Sequence, residues 1–245
     1  MQQLIDIGNT LLKTVIVDTD KTLFIGQMEL SDVNTFQSLH HQFGFPASCL
    51  ISSVRDIPDW LIASFGQNTR ISFLTHMIPL PFSLNYNTPA TLGPDRIAAV
   101  AAAWERFPNK NVLIIDMGTC ITYDIITSQG VYEGGAISPG IRMRLKALHS
   151  YTGKLPLVEP AGETPFTGKS TVESILAGVM FGVQAEIDQF IQSYEKIYEE
   201  LTVIVGGGDN KYFDKQFKNN IFAASNLVLD GLRVILDFNE NQHID

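Results

Sequence analysis

Two segments of the chain share one pattern, an apolar strand that ends in an aspartate-glycine turn. The turn reads DIGNT at residues 6–10 and DMGTC at residues 116–120. Each copy opens three consecutive predicted strands that lead into a helix. A pattern repeated in this way predicts a duplicated α/β domain, in which each half is a mixed β-sheet flanked by helices and a cleft separates the halves.

Turn residues and apolar periodicity divide the rest of the chain into strands and helices. Strands are predicted at 3–7, 11–18, 22–30, 49–54, 70–75, 112–115, 121–126, 130–137 and 203–205. Helices are predicted at 32–43, 58–65, 94–107, 139–149, 170–201 and 226–238. Ser31 is the predicted N-cap of the first helix, and Ser138 caps the fourth with Pro139 at its first position. The boundary is placed near Pro108, which gives domains at 1–108 and 109–245.

Net charge, cysteine content and the distribution of apolar residues argue against several classes of protein. The net charge is -9 and the basic residues form no cluster, which argues against nucleic-acid binding because counterion release needs a basic surface. The two cysteines, Cys49 and Cys120, fit neither a zinc motif nor a disulfide framework. The start of the chain lacks the features of a signal peptide, and no window of about eighteen residues is apolar throughout. We expect a cytoplasmic protein that does not enter a membrane.

The two aspartate-glycine turns predict phosphate binding. Glycine lets backbone N–H groups approach phosphate oxygens without a side-chain clash, and carboxylates at the same place attract hard cations such as Mg²⁺. The polar groups that would serve are Asp6, Asn9, Thr10, Lys13, Asp116 and Thr119. The same dipeptide chemistry is common in ordinary hairpins, so a single turn would carry little weight. Two turns in equivalent positions favour a phosphate site.

The tetrapeptide Gly93-Pro94-Asp95-Arg96 predicts a second reactive element. A carboxylate such as Asp95 can orient an alcohol for in-line attack and accept its proton. Arg96 can pair with a substrate carboxylate or with phosphate oxygens. The alternative is structural, because proline at the first helical position followed by aspartate is an ordinary helix start. Both interpretations can hold at once.

Two further segments permit a structural and a functional interpretation. The run EGGAISPG at 133–140 places small residues at a strand-to-helix junction, where the backbone either approaches a ligand or forms a tight turn. Thr171 follows a candidate cap, Ser170, and is either a helix-start residue or a substrate contact. The residues alone leave both cases open.

The segments DIGNTLLK, GPDR, DMGTCITYD, YEGGAISPG, GKSTVESILAG and VIVGGG occur in the order seen in type III pantothenate kinases. The chain resembles that family over nearly its whole length. The resemblance implies two ribonuclease H-like domains of the actin-like ATPase fold, with an ATP cleft between the domains. It also implies ATP-dependent phosphorylation of pantothenate to 4'-phosphopantothenate, the first step of coenzyme A biosynthesis.

The resemblance further implies a role for each motif. Asp95 would be the proton acceptor, Asp116 the ligand of a monovalent cation, and Asp6 a direct or water-mediated ligand of the Mg²⁺ that accompanies ATP. The ATP contacts would come from Asp6, Ile7, Gly8, Asn9, Thr10, Leu11, Leu12, Lys13 and Thr119, with Gly206–Gly208 on the adenosine side. The pantothenate contacts would come from Tyr86, Gly93, Pro94, Asp95, Arg96 and Thr171.

The family pattern also implies dependence on K⁺ or NH₄⁺ and a homodimer whose interface completes the pantothenate pocket, with Thr171 supplied across it. Leu11 and Leu12 depart from the pattern, since a polar residue often follows the first phosphate loop. Two alternatives stay open: another small-molecule kinase of the same fold, acting on a sugar or on acetate, and a non-catalytic regulatory relative. The sequence contains no G-x-x-x-x-G-K-[ST] motif, which argues against a P-loop kinase.

Overall fold

The computed structural model describes residues 1–19, 21–213 and 221–242 of the chain. Its strands are β1 Gln2–Ile7, β2 Leu11–Asp18, β3 Lys21–Glu29, β4 Ser48–Ser53, β5 Arg70–Phe73, β6 Ser83–Leu84, β7 Val112–Met117, β8 Cys120–Ile126, β9 Val131–Pro139, β10 Thr202–Gly206 and β11 Ile221–Ala223. Its helices are α1 Val33–Phe43, α2 Asp59–Ala63, α3 Pro94–Arg106, α4 Ile141–Ser150, α5 Thr171–Glu195 and α6 Leu227–Asn241, with short 3₁₀ helices at Pro89–Thr91 and Asn210–Tyr212. Each predicted helix and strand has a counterpart among these elements.

The chain divides into two compact units, one formed by Met1–Arg106 together with α6 and the other by Phe107–Asn226. The sequence had suggested that α6 belongs to the second domain, and its position in the first unit has a physical cause. The helix packs its apolar stripe against α3, β1 and β4, and Gly231 lets its backbone meet that of Ala98 in α3. An amphipathic stripe specifies burial, but it does not specify which surface covers it.

In the first unit the strand order is β3-β2-β1-β4-β5. The central strand β1 is antiparallel to β2 and parallel to β4, so Asp6 is paired with Lys13 on one side and with Ser52 on the other. Ile5 and Ile7 form a core with α1 and α2. Because side chains alternate along a strand, Asp6 faces the opposite side of the sheet, where α3 and α6 pack.

In the second unit the strands lie in the order β11-β10-β7-β8-β9. Strand β7 is antiparallel to β8 and parallel to β10, and this repeats the arrangement around β1 in the first unit. Leu113 and Ile115 of β7 pack with Val183 and Ile187 of α5 in one hydrophobic core. Both units therefore hold a mixed sheet with helices packed on it, which confirms the predicted fold class.

Two helices begin at residues other than the predicted ones. Helix α1 is capped by Asp32, whose side chain accepts a hydrogen bond from the Thr35 amide, and the prediction of Ser31 was wrong. Helix α4 follows Gly140, and the prediction that it starts at Ser138 and Pro139 was also wrong. These two residues still pair with β8 as the end of β9, because strand pairing continues through the junction.

Helix α5 begins as predicted and ends earlier. Ser170 caps it, since its Oγ accepts a hydrogen bond from the Glu173 amide at 3.2 Å. The helix stops at Glu195 and not at the predicted Leu201. Within residues 1–19, 21–213 and 221–242, no helix combines the length and the apolar character that crossing a membrane requires.

Candidate active site

Asp6 lies at the carboxyl end of the central strand β1 and is buried. Its Oδ1 accepts a hydrogen bond at 3.2 Å from Ser52 Oγ, on the neighbouring parallel strand. Lys13, opposite Asp6 on the antiparallel strand, supplies a positive charge that lowers the pKa of the carboxyl. Open α/β sheets place ligand-binding groups at the carboxyl ends of their strands, and Asp6 occupies such a position.

The first aspartate-glycine turn follows directly after Asp6. Its Gly8 amide donates to the Leu11 carbonyl at 3.0 Å and closes the turn. Asn9 and Thr10 are exposed at the tip. Because the Gly8 amide is used inside the turn, the groups that remain for a phosphate are those of Asn9 and Thr10.

Two residues of the predicted ATP-binding segment are core residues. The side chains of Ile7 and Leu12 are fully buried and pack with α1 and α2. A nucleotide contact from either residue would therefore use the backbone. Their apolar character is explained by the core and needs no ligand.

Asp95 lies in the first turn of α3, directly after Pro94. The Arg96 amide donates to its Oδ1 at 2.9 Å and holds the carboxylate against the helix start. A Cβ on Gly93 would stand 2.5 Å from the same oxygen, so this position of the Asp95 side chain requires glycine there. The helix-start interpretation is correct in geometry, and it also fixes the carboxylate in one position.

Asp6 and Asp95 lie close enough to interact electrostatically. Burial raises the pKa of Asp6 to about 6, the charge of Asp95 adds to the rise, and Lys13 and Ser52 oppose it. Burial also raises the pKa of Asp95, against the lowering effects of the Arg96 amide and guanidinium. Two desolvated carboxylates repel each other when both are ionised, so the place attracts a proton or a cation. Perturbed acids of this kind are concentrated at functional sites.

Arg96 and Tyr86 accompany the acidic pair in the first unit. Arg96 is buried, and the carbon of its guanidinium lies 5.9 Å from the centre of the Tyr86 ring. The ring quadrupole stabilises a cation at that distance. The first unit thus brings together Asp95 and two of its predicted substrate-binding neighbours.

The second aspartate-glycine turn joins β7 to β8 in the second unit. Its Gly118 amide donates to the Cys120 carbonyl at 2.9 Å, and Thr119 is exposed at the tip. Asp116 is half-buried on β7, paired with Gly206 at the end of β10. This turn is built like the first one, with a glycine amide bonded back to the strand that follows.

The glycine run at 206–208 lies beside this second turn. The amide of Asp209, which follows the run, donates to the Met117 carbonyl at 3.0 Å. The predicted adenosine-side segment and the second phosphate turn are therefore neighbours within one unit.

Thr171 is the first residue of α5 and lies in an apolar groove. The groove has a volume of about 780 Å³ and is bordered by Leu148, Tyr151 and Leu155. Tyr151 is 89% exposed despite its large aromatic ring. The predicted substrate contact thus belongs to a surface formed by α4, α5 and the segment after α4.

A divalent cation fits the acidic pair by the chemistry of its donors. Mg²⁺ prefers carboxylate, phosphate and water oxygens, and Asp6 and Asp95 provide carboxylates at one place. Of the residues that the structure describes, no three His, Cys, Asp or Glu side chains form a metal-binding group. A divalent ion beside Asp6 would therefore take its other ligands from water and from nucleotide phosphates.

Sequence reasoning missed two residues next to the first turn. Ser52 donates to Asp6, and Arg55 Nη1 donates to the Asn9 carbonyl at 3.4 Å. Both lie at or just after the end of β4. The parallel pairing of β1 with β4 is the signal that would have found them, because it brings the carboxyl ends of the two strands together.

Solved structures share this fold. A Campylobacter jejuni protein provisionally described as a Baf family transcriptional activator has a TM-score of 0.64 at 19% identity, over 98% of this chain and 99% of that one. A Sinorhizobium meliloti protein provisionally described as a 2-dehydro-3-deoxygalactonokinase has a TM-score of 0.60 at 11% identity, over 100% and 99%. These two likenesses support the fold described above, with a mixed sheet and an aspartate-glycine turn in each unit.

Sequence comparison gives the family. The family model described as type III pantothenate kinase matches residues 3–193. The protein of that name from Christiangramia forsetii is 43% identical over 243 residues, covering 99% of this chain and 100% of its own. The one from Cytophaga hutchinsonii is 41% identical over 244 residues, covering 98% and 100%. The chain belongs to the type III pantothenate kinase family, and it is therefore a kinase that uses ATP with a divalent metal ion.

Proposed function

We propose that the Asp6–Asp95 pair is where this chain performs the reaction of its family. That reaction transfers a phosphoryl group from ATP to pantothenate and gives 4'-phosphopantothenate, the first step of coenzyme A biosynthesis. The observation that carries the proposal is a pair of carboxylates, a buried one at the end of β1 and a half-buried one at the start of α3, with the charge of Asp95 acting on Asp6. The substrates are inferred from membership of the family, and the two carboxylates are the groups to which we assign the reaction.

Asp95 orients the acceptor hydroxyl and accepts its proton. Because burial raises the pKa of Asp95, its carboxylate is a better proton acceptor near neutral pH than an exposed aspartate. The hydroxyl oxygen forms a bond to the γ-phosphorus, the bond to the ADP oxygen breaks, and the hydroxyl proton moves to a carboxylate oxygen of Asp95. Since the transition state of phosphoryl transfer is loose, positioning contributes more than early proton removal.

Asp6 holds the divalent ion that accompanies ATP, directly or through water. When bound, this ion neutralises charge on the phosphates. Lys13 and the exposed Asn9 and Thr10 contact the phosphate oxygens from the same unit. The pKa of Asp6, about 6, leaves most of this carboxyl ionised at neutral pH and able to attract the metal.

Arg96 and Tyr86 select the acceptor. Pantothenate carries a carboxylate in addition to its primary hydroxyl, and a buried guanidinium is a strong partner for such a group. Tyr86 keeps the guanidinium in place through its ring. A neutral sugar offers the guanidinium no carboxylate to bind.

The second unit contributes the other ATP contacts. Thr119 binds the phosphates from the second turn, and the segment at 206–208 lies on the adenosine side. Asp116 is the ligand of K⁺ or NH₄⁺, because its carboxylate stands at the end of β7 beside that turn. When bound there, such an ion would supply positive charge to the second turn.

The active form is a homodimer in the cytoplasm. The groove between α4 and α5 supports the dimer, since its Tyr151 is 89% exposed, and Val172, which follows Thr171 in the chain, is 44% exposed. Exposed apolar surface of this kind is typical of an interface between subunits. In the dimer Thr171 completes the pantothenate pocket of the partner.

A coupled assay of ADP production across acceptors tests the proposed function. With Mg²⁺, ATP and K⁺ present, we expect turnover with pantothenate and kcat/KM values lower by at least about a hundredfold with hexoses or acetate. Turnover of a sugar or of acetate without turnover of pantothenate would contradict the assigned acceptor. ATP binding without turnover of any acceptor would instead indicate the regulatory alternative.

A further inference from the structure

Three side chains from three elements meet around Glu186 of α5 in the second unit. Its Oε1 accepts hydrogen bonds from Tyr123 Oη at 2.9 Å and Ser138 Oγ at 2.5 Å, and its Oε2 accepts one from Arg144 Nη2 at 2.7 Å. These residues come from β8, the end of β9, α4 and α5. Tyr123 is itself fixed, because its buried ring stacks on Phe190 with the ring centres 4.0 Å apart.

The network holds the segment between β9 and α4. Arg144 donates from Nε to the Pro139 carbonyl at 2.7 Å and from Nη2 to Ser138 Oγ at 3.2 Å. Glu186 accepts hydrogen bonds from Ser138 Oγ and from Arg144 Nη2, so it ties the last two residues of β9 to α5. Burial opposes the ionisation of Glu186, but the hydrogen bonds from Ser138, Arg144 and Tyr123 leave its pKa below the ordinary value.

The same segment rests directly on the second phosphate turn. The Gly140 amide donates to the Thr119 carbonyl at 3.1 Å. A Cβ on Gly140 would collide with the carbonyl oxygens of Gly118 and Thr119, so the two backbones are in close contact. A shift of Pro139 or Gly140 would therefore move the turn that carries Thr119.

We propose that Glu186 is a positioning residue for nucleotide binding, acting through Ser138, Arg144 and Gly140 on the second phosphate turn. This inference depends on the proposed function, because it takes the turn at 118–119 as a contact to ATP. A carboxylate suits the role, since all three of its partners donate to it and Arg144 has no group that accepts a hydrogen bond.

Steady-state kinetics of Glu186→Gln test the proposal. The amide removes the negative charge opposite Arg144, and it can keep all three contacts only if both hydroxyls turn from donating to accepting. We expect the KM for ATP to rise about tenfold, with the KM for pantothenate within about twofold of the parent, as is usual when a supporting residue is lost. Asp188→Asn is the matched control, because it removes an exposed carboxylate from the same helix.

Ser138 variants keep the test valid if Glu186→Gln folds poorly. Ser138→Ala removes the hydroxyl that links Glu186 to the junction, and it should raise the KM for ATP in the same selective way. Ser138→Thr keeps a hydroxyl and should restore the parental value. The double variant Ser138→Ala with Glu186→Gln should show less than the sum of the two single effects, because both act through one contact.

Calorimetry with Mg²⁺ and ATP separates the two possible failures. A parent protein that binds no nucleotide contradicts the proposed function and the inference together. A parent that binds, with a folded Glu186→Gln protein of equal affinity, contradicts only the positioning role. Equal rises in both KM values, or a lower thermal midpoint with both KM values unchanged, would assign Glu186 to general stability and also contradict the inference.

Discussion

Asp6 and Asp95 belong to different elements of the first unit, and the charge of Asp95, where a helix begins, acts on the carboxyl of Asp6, where a strand ends. Asp6 ends a central strand, and Asp95 begins a helix that packs on that sheet. Burial raises the pKa of both, and the negative charge of Asp95 raises that of Asp6 further. A carboxylate pair of this kind can bind a divalent ion and can also accept a proton, which are the two requirements of phosphoryl transfer to an alcohol.

In the pH profile of kcat/KM for ATP, the decrease on the acidic side, here called the limb, should reflect protonation of Asp6. Its carboxyl must be ionised to attract the metal, so kcat/KM for ATP should fall as the pH drops below about 6. Ser52→Ala removes a hydrogen bond that lowers the pKa of Asp6, and it should move the limb to higher pH. Profiles measured for the parent and the variant between about pH 5 and pH 8 would show this shift.

Ser53→Ala is the matched control for this pH experiment. Its hydroxyl donates to the Arg55 carbonyl and not to Asp6. The profile of Ser53→Ala should superimpose on that of the parent. If the Ser52→Ala and Ser53→Ala profiles coincide, the limb belongs to another group.

Removal of Asp116 should abolish activation by a monovalent cation. Asp116→Ala takes away the carboxylate beside the second phosphate turn, so its residual activity should not respond to K⁺. The measurement is a K⁺ titration at constant ionic strength, with tetramethylammonium as the replacement cation. Overlapping titration curves for variant and parent would contradict the assignment of the cation to Asp116.

A charge beside the apolar groove should dissociate the dimer. Val172→Glu places a carboxylate directly after Thr171, at the edge of a surface that we propose to be covered by a second copy, and a buried unpaired charge is costly. Light scattering after size exclusion should show a monomer with a raised KM for pantothenate. Ile62→Glu, at a side chain that is 37% exposed on α2, is the control and should stay dimeric. A dimeric Val172→Glu protein with the parental KM would contradict the interface.

Most of the fold was predictable because it depends on local patterns. Alternating or continuous apolar runs marked each strand, and glycine and proline marked the ends of most elements. The errors lie where two local signals compete. The local sequence at Ser138 and Pro139 predicts a helix start, yet pairing with β8 keeps both residues in β9. The sequence could not predict which sheet α6 packs on, because an apolar stripe can be buried against either one.

The candidate site was predictable in its residue types and not in its contacts. The motifs identified Asp6, Asp95 and Arg96, but only the packing of α3 on the sheet lets the charge of Asp95 act on Asp6. No local motif or spacing in the sequence identified Ser52 or Glu186. Each acts through a hydrogen bond between residues far apart in sequence, and no local pattern encodes such a pair.

Turnover of Asp95→Asn tests the account most directly. The amide cannot accept the hydroxyl proton, so kcat should fall by at least about a hundredfold while the Kd for ATP with Mg²⁺ stays within about twofold. Asp59→Asn is the matched control, since Asp59 also follows a proline in the first turn of a helix but is exposed; it should retain parental kinetics. An Asp95→Asn enzyme that phosphorylates pantothenate at nearly the parental rate would contradict the catalytic role of the acidic pair.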